Sequence, residues 1–394
     1  MTNYNVRKNM TIPACEEFLR EINSSEGQLV LLLPSNSGHS LAGGEASFAQ
    51  AFCTLARKQA VTTVKTFADN ADDAQITKLC SQLFGVCAAI NADLVFDKNG
   101  VNITKEVKEC AVGRVRQLQS HNPYKQNRGT EVQVLCVDHL GIGYPEVFYS
   151  PRASESPKLR DRAEFQYVAR QIINRLVSDR LAGDLSPEII AAFGGMLFEI
   201  FVNTDEHGRR DLDRQRLMHS IRGVHAKFHS VNTEDLIKIA DGYAPLSGFF
   251  KSLSPDPLFK KVNFLELSIF DSGIGFASSR TRVPTEDLGL SKELEAISDC
   301  FYKGSTSKKN AGYGLGLPRV LKFLRSVGGF LRLRTGRFSL YGDYSDSTLQ
   351  MVERPDLQVW LPDGQLALPQ VEGTLVTLIV PLKRKKSMDS GAVD

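Results

Sequence analysis

The sequence predicts an α/β fold in two parts, and three observations predict it. Short apolar runs alternate with helix-like stretches through residues 1–150. A Ser- and Pro-rich segment, 150–158 (SPRASESPK), then interrupts the pattern. Beyond it, residues 185–382 hold a long apolar helix and two strong strands with glycines beside them. The 394 residues, 42% apolar and 24% charged, suffice for two ordinary domains of globular composition.

In the first part, QLVLLL (28–33) reads as a buried strand, followed by a loop of Ser and Gly over 34–44 and a helix over 45–57. A strand at 60–67, a helix at 73–90 and strands at 93–96 and 131–137 complete a smaller α/β unit of unknown role, 1–150. The 34–44 loop invites a phosphate-binding reading. No Lys-Ser or Lys-Thr follows its glycines, so a plain connection is expected.

Residues 151–184 read as a linker and an amphipathic helix over 159–181. Its stripe of Phe165, Val168, Ile172 and Leu176 suits core packing or a homodimer contact. A second helix opens at Ser186-Pro187-Glu188, with a Ser cap and Pro in the first turn, and runs to His207.

A net charge of +3 does not predict nucleic-acid binding. Seven scattered cysteines without a CxxC pair suit reduced, mostly buried thiols. No run approaches the roughly 18 apolar residues that span a bilayer, and the start MTNYNVRKNM lacks a signal-peptide core. A soluble, cytoplasmic protein is expected. Residues 383–394, opening with Lys383-Arg384-Lys385-Lys386, read as a disordered basic tail; contact with an acidic partner or a membrane surface is the alternative.

Four stretches carry chemistry. In GGMLFEIFVNTDEHG, Glu199, Asn203 and His207 recur every fourth residue and share a helical face among apolar neighbours. A buried carboxylate and amide need partners, in a neighbouring loop or in a ligand. In LELSIFDSGIGF a strand ends in Asp271, with Gly273, Ile274 and Gly275 after it. Such a carboxylate can accept from an adenine amino group while glycine backbone approaches the ring; a tight turn is the plainer explanation. In KGSTSKKNAGYGLGLP, Gly312, Gly314 and Gly316 with Leu315 and Leu317 lead into a helix N-terminus that offers N–H donors to phosphates. Lys303, Lys308 and Lys309 could bring charge to a phosphate tail on a mobile lid. The last strand, EGTLVTLIVPL, opens with Gly373-Thr374.

Together and in this order, these stretches resemble the GHKL superfamily of gyrase B subunits, ninety-kilodalton heat-shock chaperones, histidine kinases and MutL. The matches are Glu199 and Asn203 to the ExxxN box, Asp271, Gly273 and Gly275 to DxGxG, Gly312–Leu317 to GxGLGL, and Gly373-Thr374 to the closing Gly-Thr. The ExxxNxxxHG form, with His207 and Gly208, is nearest to anti-sigma-factor kinases. The resemblance covers 185–382 and implies a GHKL-type α/β sandwich: one mixed sheet with helices on one face, and ATP between helix and lid. It also implies Mg²⁺ on Asn203, and insertions near 209–262 and 338–370.

No histidine lies in 159–181, which argues against a histidine autokinase. The chain ends just after its last strand, without a domain to supply the phosphate-sensing lysine of gyrase and MutL, so slow turnover is expected. The expected function is an Mg²⁺-ATP-dependent switch or slow ATPase acting on a protein partner, with Glu199 activating water. A serine protein kinase and a non-catalytic ATP-binding scaffold are the alternatives.

Overall fold

The computed structural model describes residues 2–382 apart from 39, 60, 70–71, 121–130, 151–156, 258, 303–315 and 347–356. It is an α/β protein organised by two sheets. The smaller is parallel, with β1 (Thr2–Asn5), β2 (Leu29–Leu32), β3 (Thr63–Lys65) and β4 (Leu94–Phe96) side by side in that order. Helices α1 (Ile12–Ser24), α2 (Gly44–Lys58), α3 (Asp73–Cys80) and α4 (Leu83–Asn91) connect these strands, and α5 (Thr104–Gln119) follows β4. The expected helix over 73–90 is therefore two. Gln82 is extended (φ −95°, ψ 142°), and the Glu45 carboxylate accepts from the Leu83 N–H at 2.9 Å, capping a fresh helix start. Helices α1 and α5, absent from the sequence expectation, bury Ala14, Phe18 and Ile22 and Val107, Ala111 and Val115 at four-residue spacing.

The strand β5 (Glu131–Val137) leaves the unit in which it was expected and pairs antiparallel with β8 (Ile221–Val231), at the edge of the larger sheet. Its residues explain the move. Val132, Val134 and Cys136 enter one apolar core, and Leu135 and Val137 enter another. Only a sheet covered on both faces buries both sets.

The short pair β6 (Tyr149–Ser150) and β7 (Lys158–Leu159) brackets the linker, of which 151–156 lie outside the described residues. Next come α6 (Arg162–Leu176), opened by a capping box of Asp161 and Glu164, and α7 (Asp179–Asp184), capped by Ser178. The helix expected over 159–181 thus breaks at Val177. Its stripe is buried against α8 (Pro187–His207), so it packs within the chain. Helix α8 starts as expected, with the Ser186 side chain accepting from the Ile189 N–H. It is the one described helix long and apolar enough to cross a membrane, and it is mostly buried inside the protein.

The 209–262 region holds β8, α9 (Thr233–Ile239) and α10 (Ala244–Ser252) ahead of β9 (Val262–Asp271). After α11 (Gly275–Thr281), α12 (Leu290–Asp299) and α13 (Gly316–Val327) come β10 (Phe330–Gly336), β11 (Phe338–Asp343), β12 (Gln358–Trp360) and β13 (Val371–Pro381). The 338–370 region therefore supplies two sheet strands. The larger sheet runs β12-β11-β10-β13-β9-β8-β5, and every described pairing is antiparallel.

That differs from the mixed sheet with helices on one face that the resemblance implies. β5, β8 and β9 are successive neighbours, as are β10, β11 and β12, and β13 inserts between β10 and β9, antiparallel to both. Helices α6, α8 and α13 cover the front face, and α2 and α5 of the N-terminal layer cover the back.

The 34–44 loop acts as a connection with an anchor. The N–H groups of Ala42 and Gly43, at the start of α2, donate to the Glu266 carboxylate of β9 at 2.9 and 2.8 Å. The anion that a helix N-terminus attracts is here a side chain of the larger sheet.

Candidate functional site

The cross-strand register lays out the front face row by row. Ala226, Leu267, Leu378 and Leu331 form one row, and Val224, Ile269, Val376 and Leu333 form the next. The end row is polar: Arg222, Asp271, Thr374 and Thr335. Helix α8 crosses above it. A narrow pocket lies between them. Ile200, Asn203, Thr204 and His207 line it from the helix, and Ile269, Asp271, Thr374 and Val376 from the sheet. Gly275, Phe276 and Leu317 close its sides.

Asp271 is 6% exposed. Burial pushes its carboxyl up to about 6, against the Gly273 N–H at 2.8 Å, the charges of Arg222 and Arg57, and the Thr374 N–H. Gly273 and Gly208 let this turn touch the end of α8: a Cβ on Gly273 would lie 2.8 Å from the Gly208 Cα and the His207 carbonyl oxygen. Gly275 has φ +77°, a conformation that glycine adopts freely. It starts α11, whose Phe276 N–H donates to the Thr335 hydroxyl at 3.2 Å.

The predicted residues divide into groups. Asn203, His207, Asp271, Gly275, Leu317 and Thr374 line one pocket. Gly273 shapes the Asp271 turn, and Ile274 lies beside it, lining a neighbouring cleft shared with His207. The half-buried Asn203 amide bonds to no described residue, whereas the exposed His207 ring lies 3.2 Å from the Ser279 hydroxyl. Gly316 opens α13, and a Cβ on it would lie 2.9 Å from the Glu199 carboxylate. Lys303, Gly312, Gly314 and Leu315 lie outside the described residues, as does the tail 383–394.

Glu199 is buried one turn before Asn203, outside the pocket lining. Its carboxylate pairs with Arg162 of α6 and, at 3.2 Å, with Arg319 of α13.

A supporting network that no sequence motif marks lies beside the pocket. Arg222, fully buried, donates twice to Asp138 at 2.8 and 3.0 Å, and to Tyr149 and Asp205 at 3.1 and 3.2 Å. The Tyr149 hydroxyl donates to Asp205 at 2.6 Å. Asp205 lies midway between Asn203 and His207, so this cluster ties their helical turn to the sheet. The available signal was Arg222 itself, a lone cation in the apolar run SIRGVHA. Arg319 had one too, directly after GLGLP. No protein-family model, curated protein or solved structure matches the chain.

Proposed function

We propose that this protein binds Mg²⁺-ATP in the pocket between α8 and the end row of the larger sheet, as a GHKL-type nucleotide-binding protein. Binding would switch its conformation toward a protein partner, with slow hydrolysis at most. The observation that carries the reading is convergence: residues of four separated sequence stretches line one pocket. Because the sheet is wholly antiparallel, support comes from the site and not from the strand pattern.

The residues suit each part of the nucleotide. Ile200, Ile269, Phe276 and Val376 offer apolar walls to a purine, and Asp271 offers an acceptor to its amino group. The Asn203 amide oxygen, which bonds to no described residue, is a hard donor of the kind Mg²⁺ takes. A bound Mg²⁺ would neutralise phosphate charge there. The N–H groups at the start of α13 favour an anion. Glu199 is the group to take a proton from water, and its carboxylate is engaged by Arg162 and Arg319. That favours binding with little turnover over rapid hydrolysis.

Calorimetry with ATP and GTP tests the pocket. ATP should bind and GTP much more weakly, because guanine presents a carbonyl oxygen to Asp271. Equal affinity for both, or none for either, refutes the reading. Incubation with γ-labelled ATP then separates slow release of phosphate from transfer to a partner.

A further inference from the structure

Helix α6 lies outside all four sequence stretches that define the pocket, yet it sends Arg162 to Glu199. Arg319 reaches the same carboxylate from the second turn of α13. We propose that Arg162 and Arg319 are ligands of the terminal phosphate of the bound nucleotide, and so make the pocket discriminate ATP from ADP. This rests on the ATP reading above and gives a role toward the ligand to two arginines that the reading treats only as partners of Glu199.

Position, charge and shape carry the argument. Glu199 precedes Asn203 by four residues, about 6 Å along the helix at about 1.5 Å per residue. With adenine on Asp271 and the metal on Asn203, the far end of the phosphate chain falls beside Glu199. Gly316, at the start of α13, borders the same carboxylate, so the dipole of that helix adds to the site.

Two guanidinium groups against one carboxylate leave a net positive charge. Each side chain keeps substantial exposure, 39% for Arg162 and 44% for Arg319, so both can reorient toward a ligand. Burial and the charge of Arg319 both disfavour the Arg162 cation, which a further anion would relieve. Arg162 also lies over the Phe198 ring, 5.3 Å from its centroid. Guanidinium forks match the oxygens of phosphate two at a time, a geometry that lysine lacks.

A clamp that merely neutralises Glu199 would use the same contacts, and the nucleotides tell the two roles apart. In the full chain, calorimetry with ADP and with the β,γ-imido analogue of ATP is run on wild type, Arg162→Ala, Arg319→Ala and Arg162→Lys. Each alanine variant should lose about tenfold or more in affinity for the triphosphate analogue, as expected for a charged hydrogen bond. ADP affinity should stay within about twofold. Arg162→Lys, which preserves the charge and the fold but not the fork, should recover only part of the loss.

Parallel losses for both nucleotides, or unchanged preference for the triphosphate, overturn the proposal while leaving the ATP reading intact. Wild type that binds neither nucleotide overturns both.

Discussion

The two faces of the larger sheet use polar residues in opposite ways. On the back face they are spread through the strands, and the N-terminal layer supplies their partners. Arg334 (1% exposed) donates to both Glu16 oxygens, at 2.8 and 3.1 Å. Arg332 donates to Ser47 at 2.9 Å. Glu45, Glu131 and His225 are grouped closely enough to hold a cation, and Lys227 already serves there, 3.2 Å from Glu45 and 3.7 Å from Glu131. On the front face the rows are apolar until the last; there Arg222 is paired with Asp138 and Asp205, whereas Asp271 makes no ion pair among the described residues.

Two buried carboxylates of the same strand register the contrast. Burial alone would raise both. For Glu266, the His229 hydrogen bond, the Lys227 charge and the Gly43 N–H overcome burial and hold the carboxyl down at about 2. For Asp271, burial wins and the carboxyl sits at about 6. A polar group satisfied within the chain serves the fold, and one left short of partners marks where a ligand belongs.

Breaking the back face should produce the largest change in stability. Glu16→Ala leaves Arg334 buried without its carboxylate, which typically costs about 3–5 kcal/mol. Denaturant unfolding should show that loss, and replacing both residues together by Leu and Met should recover most of it. A loss below about 1 kcal/mol for the single variant would mean that the two layers do not depend on this pair.

The front face should respond with the opposite sign. The folded-state carboxyl of Asp271 lies about two units above its ordinary value of 3.8, so its ionised form destabilises the fold by roughly 3 kcal/mol. That penalty is full above about pH 6 and fades as the pH falls toward 4, because the folded protein takes up its proton first. Asp271→Asn should therefore be more stable than wild type at pH 8, with the advantage vanishing near pH 4. ATP binding should move the other way: the accepting carboxylate disappears below about pH 6, and affinity should fall about tenfold per unit there. Unfolding curves that show no gain at pH 8 would remove Asp271 from the strained, ligand-seeking class.

The pocket was legible from sequence because its signals are local. Glu199, Asn203 and His207 repeat with the helical turn, and Asp271 and Gly273 fall two residues apart at a strand end. The back face was not legible, because its pairs join distant segments: Glu16 with Arg334, Ala42 with Glu266, Lys227 with Glu45. No periodicity within either segment announces such a pair. For the same reason the sequence does not announce the pairing of β5 with β8, although it marks the extent of the strand, 131–137. What could be read there was that both faces of β5 are apolar, a pattern that asks for cover on two sides. The split of 73–90 also depended on a remote group, the Glu45 carboxylate.

Asn203→Ala should change stability least and function most, which makes it the sharpest test of the contrast. Its side chain is half-buried and bonds to no described residue, so truncation forfeits no hydrogen bond among the described residues. Unfolding should shift by no more than about 0.5 kcal/mol, the usual range for sites without special contacts. Mg²⁺-dependent ATP affinity should nevertheless collapse, because the amide oxygen is the one metal donor assigned to this turn of α8. Asp271 and the apolar walls would remain, so metal-free adenosine should bind the variant as it binds wild type. Calorimetry with Mg²⁺-ATP, ATP in chelator and adenosine separates these contributions. A stable variant with native Mg²⁺-ATP affinity would show that Asn203 holds no metal. A variant that unfolds by several kcal/mol would place the amide among the satisfied, structural polar groups, and the division between the two faces would fail at its most exposed point.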